Sequence, residues 1–215
     1  MIAIVDYGAA NLLSISRALE AAEANAQVTG DPDEIIAADA VVLPGVGAAG
    51  SAMARLRGAG ADEALRAIAV RGTPLLGLCL GMQLFFDWLA EDDVAGLGLL
   101  SGRVEELPPD GKVPHMGWNN LDWTPLAAGG ELFAGLCPGA YVYFVHSYHC
   151  LPDDPGQVVA RTDYAGQPIV AAIASGNIRG LQFHPEKSGP AGMAILRNWV
   201  RRVQPYAPIP QKEQP

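Results

Sequence analysis

Over residues 1–90, short β-branched runs closed by turn residues alternate with stretches whose apolar residues recur every three or four positions. Strands and helices in that order pack best as a parallel sheet covered by helices on both faces. Ile2 to Val5 is a first strand, stopped by Asp6 and Gly8, and MIAIVDYG lacks the basic lead and small-residue cleavage pattern of a signal peptide. Asn11 is placed to cap a helix carrying Leu12, Ile15, Leu19 and Ala22 on one face. Asp31, Pro32 and Glu34 form a second helix start with a capping box, leading to a strand at Ala40 to Leu43 and a PGVG loop at 44–47. A helix over Asp62 to Arg71 buries Leu65, Ile68 and Ala69 and stops at Gly72. Thr73 to Leu78 is a strand that enters Cys79 directly, and Leu80 to Leu89 is expected to be helical.

After residue 95 the texture shifts to strands joined by turns: Arg103 to Leu107, Tyr141 to Tyr148, Val158 to Asp163, Ile169 to Ala174 and Ile178 to Phe183. DYAGQ at 163–167 and SGN at 175–177 have hairpin length and contain Gly. A last helix, roughly Pro190 to Val203, carries Met193, Leu196, Trp199, Val200 and Val203 near one face. The expected fold is α/β: a single domain, residues 1–203, with a mixed, largely parallel sheet and helices on both faces. Residues 204–215, with four prolines, are expected to be a disordered tail.

Composition excludes several functions. A formal charge of −9 repels phosphate backbones and anionic lipid heads, so no nucleic-acid or membrane partner is expected. The most apolar run, Leu75 to Phe86, is far shorter than the roughly 20 residues a bilayer-spanning helix needs. Three cysteines are too sparse for a disulfide framework and suit the reducing cytoplasm.

Active sites in such sheets lie at the carboxyl ends of the strands, where Cys79, the PGVG loop and His184 are all expected. GLCLG, residues 77–81, has the form of a nucleophile elbow: small neighbours permit a sharp turn, and a helix N-terminus favours the thiolate. A merely buried cysteine is the bland alternative. In LQFHPE, His184 and Glu186 are two apart and project together from an extended chain, so the carboxylate can fix the imidazole tautomer. The PGVG loop can supply backbone N–H groups to an oxyanion. Residues 45–50 also match GxGxxG, but the next strand ends in Cys79 and not in the acidic residue that a dinucleotide fingerprint requires. His146, His149 and Cys150 have metal-like spacing, yet on one strand the two histidines would face opposite ways, so neither a metal nor another cofactor is expected.

GLCLGMQ followed by HPE resembles the class I (triad) glutamine amidotransferases, a flavodoxin-like architecture. VDYGAANLLS, LPGVG, PHMGWN, YFVHSY and LQFHPEKS are similar to segments of the glutaminase subunits of imidazole glycerol phosphate synthase, in the same order, over about residues 1–203. The resemblance implies Cys79 as nucleophile, His184 as acid and base, and Glu186 as its orienter. It implies an oxyanion hole from backbone N–H groups of Leu80 and of Val46 or Gly47. It also implies that Gln83, Glu91, Ser147 and Tyr148 hold the amino-acid end of glutamine. The glutaminase fold consumes a chain of this length, so a separate synthase chain is expected to use the ammonia. The resemblance names that chain as a (β/α)8-barrel cyclase forming a heterodimer in histidine biosynthesis, with Asn11, Trp118, Tyr143 and Lys187 as interface candidates. Two alternatives stand beside it: a class I glutaminase of another biosynthetic pathway, and a noncatalytic binding or redox-sensing protein on the same fold.

Overall fold

The computed structural model describes residues 1–8, 11–123 and 130–204, so the proline-rich tail lies outside the described residues but for Gln204. In chain order the elements are β1 (Ile2–Val5), α1 (Leu12–Ala21), β2 (Ala26–Thr29), α2 (Pro32–Ala37), β3 (Ala40–Leu43), α3 (Ala49–Gly58), α4 (Ala61–Arg71), β4 (Leu75–Leu78) and α5 (Leu80–Gln83). There follow β5 (Phe86–Leu89), β6 (Val94–Ala95), β7 (Leu100–Glu106), β8 (His115–Asn120), β9 (Asp122–Trp123), β10 (Tyr141–His146) and β11 (Tyr148–Pro152). The chain continues with β12 (Val158–Tyr164), β13 (Gln167–Ser175), β14 (Ile178–Leu181) and α6 (Gly189–Val203).

The main sheet has the order β2-β1-β3-β4-β14-β13-β12-β9. Its first five strands pair in parallel and the remainder antiparallel, so the expected mixed, largely parallel sheet is present. β1, β3, β4 and β14 are buried at every position. Alternate residues feed two cores: Val5, Val41 and Leu75 meet Met53, Leu56 and Leu65 on one face, while Ile4, Val42 and Leu76 meet Leu19, Leu196 and Trp199 on the other. Helices α2 to α4 thus cover one face and α1 with α6 the other, and each apolar strand is dry on both sides.

Both hairpin loops are as expected. Ala165 and Gly166 both have positive φ, the mirror-image turn that matches strand twist, and Gly176 opens the second loop with a φ of 52°. Gly72 ends α4 at a φ of 87°.

Four expectations are corrected. The helix expected over Leu80 to Leu89 stops at Gln83, because Leu97, Leu99 and Gly98 take the carbonyls of Leu84, Phe85 and Phe86 that further helical turns would need. Phe86–Leu89 instead becomes a strand in a second sheet, β11-β7-β5-β6. The run Tyr141 to Tyr148 is not one strand: β10 pairs with β8 in a separate ribbon, β11 pairs with β7, and Ser147 lies between them in neither ladder. Asn11 stands at the start of α1, its carbonyl accepting from Ile15 N–H at 3.3 Å, but its side chain makes no cap hydrogen bond. Asp31 does cap α2, accepting from Asp33 N–H at 2.9 Å, but its own N–H donates to Thr29 Oγ1 at 3.0 Å, so the box with Glu34 does not close. β2 and α3 were not legible at all: β2 is four residues and half exposed, and α3 is low in apolar contrast.

Candidate active site

Strand β4 delivers Cys79 at a φ of 53° and ψ of −112°, a conformation few non-glycine residues adopt. The turn exists only because its neighbours are small. A Cβ on Gly81 would lie 1.9 Å from the Leu43 carbonyl oxygen, one on Gly77 would meet the Phe85 ring at 2.5 Å, and one on Gly45 would lie 2.5 Å from Gly81 N. The cysteine elbow and the PGVG loop are therefore packed backbone to backbone. Leu80 opens the short helix α5, where first-turn N–H groups have no helical acceptor.

Beyond β14, His184 donates its backbone N–H to the Tyr143 carbonyl at 2.9 Å. Pro185–Lys187 then forms a 3-10 turn, not the extended chain expected, and the turn brings Glu186 Oε1 within 2.9 Å of His184 Nδ1. Asn11 Nδ2 donates to the same oxygen at 2.8 Å. Glu186 Oε2 and His184 Nε2 are buried without a partner. Burial opposes charge on the imidazole, but Cys79 and Glu186 outweigh it and raise the His184 pKa to about 9.

A cavity of about 420 Å³ gathers Cys79, His184, Val46, Gly47, Leu80, Gln83, Glu91, Ser147, Tyr148 and Lys187. Of three consecutive acids only Glu91 lines it; Asp92 accepts from Gly50 N–H at 3.1 Å and Asp93 from Trp88 Nε1 at 2.8 Å. Glu91 Oε2 also accepts from Ala49 N–H at 2.8 Å. Two carboxylates thus occupy the α3 N-terminus, the place a dinucleotide phosphate would need, and residues 45–50 are a packing motif. Gln83 Nε2 is committed inward, to the Tyr148 carbonyl at 2.9 Å and Gln182 Oε1 at 3.0 Å.

Glu186 stands behind His184, outside the cavity lining. Asn11, an interface candidate, is turned inward to Glu186. Trp118 meets Tyr143 edge to face at 6.1 Å, and Lys187 Nζ lies 5.9 Å from the Tyr143 ring centroid. Register puts Met116 and Tyr141 on the same outer ribbon face; they are exposed, at 64% and 60%, as is Trp118 at 55%. His146 and His149 belong to different sheets, and no three potential metal-binding side chains cluster among the described residues.

Sequence reasoning missed Gln182, fully buried with Nε2 3.8 Å from Cys79 Sγ. Its signal was available: it precedes His184 by two positions, as Glu186 follows it. The Val145 carbonyl, 3.7 Å from Sγ, carries no side-chain signal.

The model of the glutamine amidotransferase class-I family matches residues 3–203. Among curated relatives, imidazole glycerol phosphate synthase subunit HisH of Methanothermobacter thermautotrophicus is 50% identical, covering 95% of this chain and all of that one. HisH of Moorella thermoacetica is 48% identical over 94% of this chain and 95% of its own. Among solved structures, a glutamine amidotransferase superimposes with a TM-score of 0.72 at 18% identity, covering 94% of this chain and 97% of that one. PurLQS from Thermotoga maritima gives 0.71 at 19%, covering 94% and 98%; at such identities the likeness is one of fold. With the strand–cysteine–helix turn and His184 on one cavity, these matches show that the chain belongs to the class-I glutamine amidotransferases, in the family of imidazole glycerol phosphate synthase HisH subunits.

Proposed function

We propose that this chain hydrolyses glutamine to glutamate and ammonia with Cys79, His184 and Glu186, and passes the ammonia to a cyclase subunit that makes imidazole glycerol phosphate in histidine biosynthesis. The observation that carries it is His184: held by Glu186 on one nitrogen, it keeps the other unpartnered on the cavity that Cys79 lines.

A His184 pKa of about 9 makes the imidazolium the resting form at neutral pH, on the cavity that Cys79 lines. The thiolate attacks the carboxamide carbon. Negative charge moves to the carboxamide oxygen, to which the N–H groups of Leu80 and of Val46 or Gly47 donate. His184 gives its Nε2 proton to the departing amine, ammonia leaves, and a thioester remains on Sγ. The now neutral His184 takes a proton from water, hydroxide adds to the thioester, and glutamate departs as thiolate and imidazolium are restored. Ser147, Tyr148 and Glu91 hold the amino-acid end, with Gln83 braced behind Tyr148. Gly47, at a φ of 92° with open space where a Cβ would stand, lets the loop turn its peptide toward or away from the oxyanion.

Ammonia in neutral water is mostly protonated and is then no nucleophile, so the partner must dock beside the cavity. The ribbon face bearing Trp118 and Tyr143, with Lys187 at the cavity rim, is the surface for a (β/α)8-barrel cyclase in a heterodimer. Three free cysteines suit the cytoplasm.

Cys79→Ala is expected to abolish glutamine-dependent synthesis by the complex while synthesis from added ammonium salt stays within about twofold. Loss of both activities would overturn the assignment of Cys79.

A further inference from the structure

Two buried histidines take no part in the thiol chemistry, and the hydrogen bonds around them can run in only one direction. A carbonyl oxygen only accepts, and the Tyr148 oxygen lies 2.9 Å from His146 Nδ1. His146 therefore carries a proton on Nδ1. Burial holds both rings neutral, lowering the pKa of His146 to about 3 and that of His115 to about 4, so each has one donor and one acceptor. His146 Nε2 must then accept, and the group 3.0 Å away, His115 Nδ1, must donate. His115 Nε2 is left as an acceptor facing Asn119 Nδ2 at 3.5 Å. The Asn119 amide is oriented independently, Nδ2 donating to the Asp163 carbonyl at 2.7 Å and Oδ1 accepting from Asn120 N–H at 2.8 Å.

The His115 ring is stacked on Tyr164 at 3.9 Å and on Phe144 at 4.7 Å between centroids, which fixes its plane. At the other end the Tyr148 carbonyl also accepts from Gln83 Nε2, so both its lone pairs are used. The peptide it belongs to lies where the chain has just left one ladder and entered another. An imidazole without a partner on Nε2 is free to carry its proton there, and would then have nothing to donate to Tyr148. A neighbour that donates to Nε2 removes that option.

We infer that His115 is a positioning residue for glutamine: it holds His146 in the tautomer that grips the Tyr148 carbonyl, and so sets the Ser147–Tyr148 backbone against which the substrate's amino-acid end rests. This rests on the glutamine reading of the cavity. His115 touches neither substrate nor sulfur, and its effect belongs in binding and not in bond breaking.

The test uses the complex with its cyclase subunit. His115→Phe keeps the stacked ring and loses both nitrogens, while His115→Asn places an amide nitrogen where Nδ1 stood. His115→Phe is expected to raise the glutamine KM about tenfold with kcat within about threefold, and His115→Asn to bring KM back to within about threefold of the native value. Two alkylating agents give a second readout on Cys79. The glutamine analogue 6-diazo-5-oxo-L-norleucine must seat as glutamine does and should react about tenfold more slowly in His115→Phe, whereas iodoacetamide needs only the thiolate and should react at the native rate. An unchanged KM in His115→Phe, failure of His115→Asn to restore it, or equal slowing by both reagents would overturn the inference. If native Cys79 reacts with iodoacetamide and never with the diazo ketone, the glutamine reading itself fails and takes the inference with it.

Discussion

Glu186 is 1% exposed at its side chain and spends one oxygen on two donors, His184 Nδ1 and Asn11 Nδ2. A carboxylate so placed fixes one imidazole tautomer and rewards positive charge on the ring. Two buried histidines on the same cavity show how far a partner decides the outcome: burial takes His146 down to about 3, while Cys79 and Glu186 overcome burial and take His184 up to about 9. Because the folded value lies above the ordinary 6.5, the stabilisation from charged His184 is complete below pH 6.5 and is lost as pH rises through about 9. Ring nitrogen NMR of the unliganded chain should place the His184 titration near pH 9, and in Glu186→Gln it should move to lower pH. A midpoint unmoved in that variant would refute the role given to Glu186. The pair was legible in HPE from residue type and closeness in sequence, but the contact is made by a 3-10 turn and not by the extended chain expected. Asn11 does begin α1, but its side chain serves Glu186, an acceptor 175 positions away that no local pattern announces.

The first turn of α3 has no capping side chain of its own and borrows two, Glu91 and Asp92, from the segment after β5. The arrangement ties the loop carrying Val46 and Gly47 to the acid that lines the cavity. Asp92→Ala removes one cap outside the cavity lining and should cost about 1 kcal/mol in urea unfolding, with glutaminase kcat/KM within about twofold of native. A loss of activity without loss of stability would mean that Asp92, not Glu91, faces the substrate. The elbow was legible as GLCLG because glycine is the residue that such close approach demands. The length of α5 was not: the residues after Gln83 have no local reason to stop being helical, and what stops them is the backbone of Leu97–Leu99.

An eight-stranded sheet holds Cys79 and His184 at adjacent strand ends, while the PGVG loop, α5, Glu91 and the segment from Val145 to Tyr148 supply most of the remaining cavity wall. The ribbon turns His115 and His146 inward and Met116, Trp118 and Tyr141 outward. Large apolar side chains exposed together on one face mark a surface that another chain covers. Trp118→Ser should weaken association with the cyclase subunit by about tenfold or more in titration calorimetry, while the thermal midpoint of the isolated chain moves by no more than about 2 °C. Equal affinity in the variant would move the interface elsewhere.

Local sequence already carries strands β1, β3 and β4, the glycine-flanked turn at Cys79 and the closeness of His184 to Glu186. Strands buried on both faces must be apolar throughout, close backbone approach demands glycine, and a histidine two residues from a carboxylate can readily pair with it, so each of these is written locally. Long-range contacts set where the helix after Cys79 ends, how the later strands divide among three sheets, which of three acids faces the cavity, and that Asn11 serves Glu186. Those outcomes depend on hydrogen bonds between groups far apart in the chain, and a carbonyl or carboxylate has no preference of its own until folding brings it a donor.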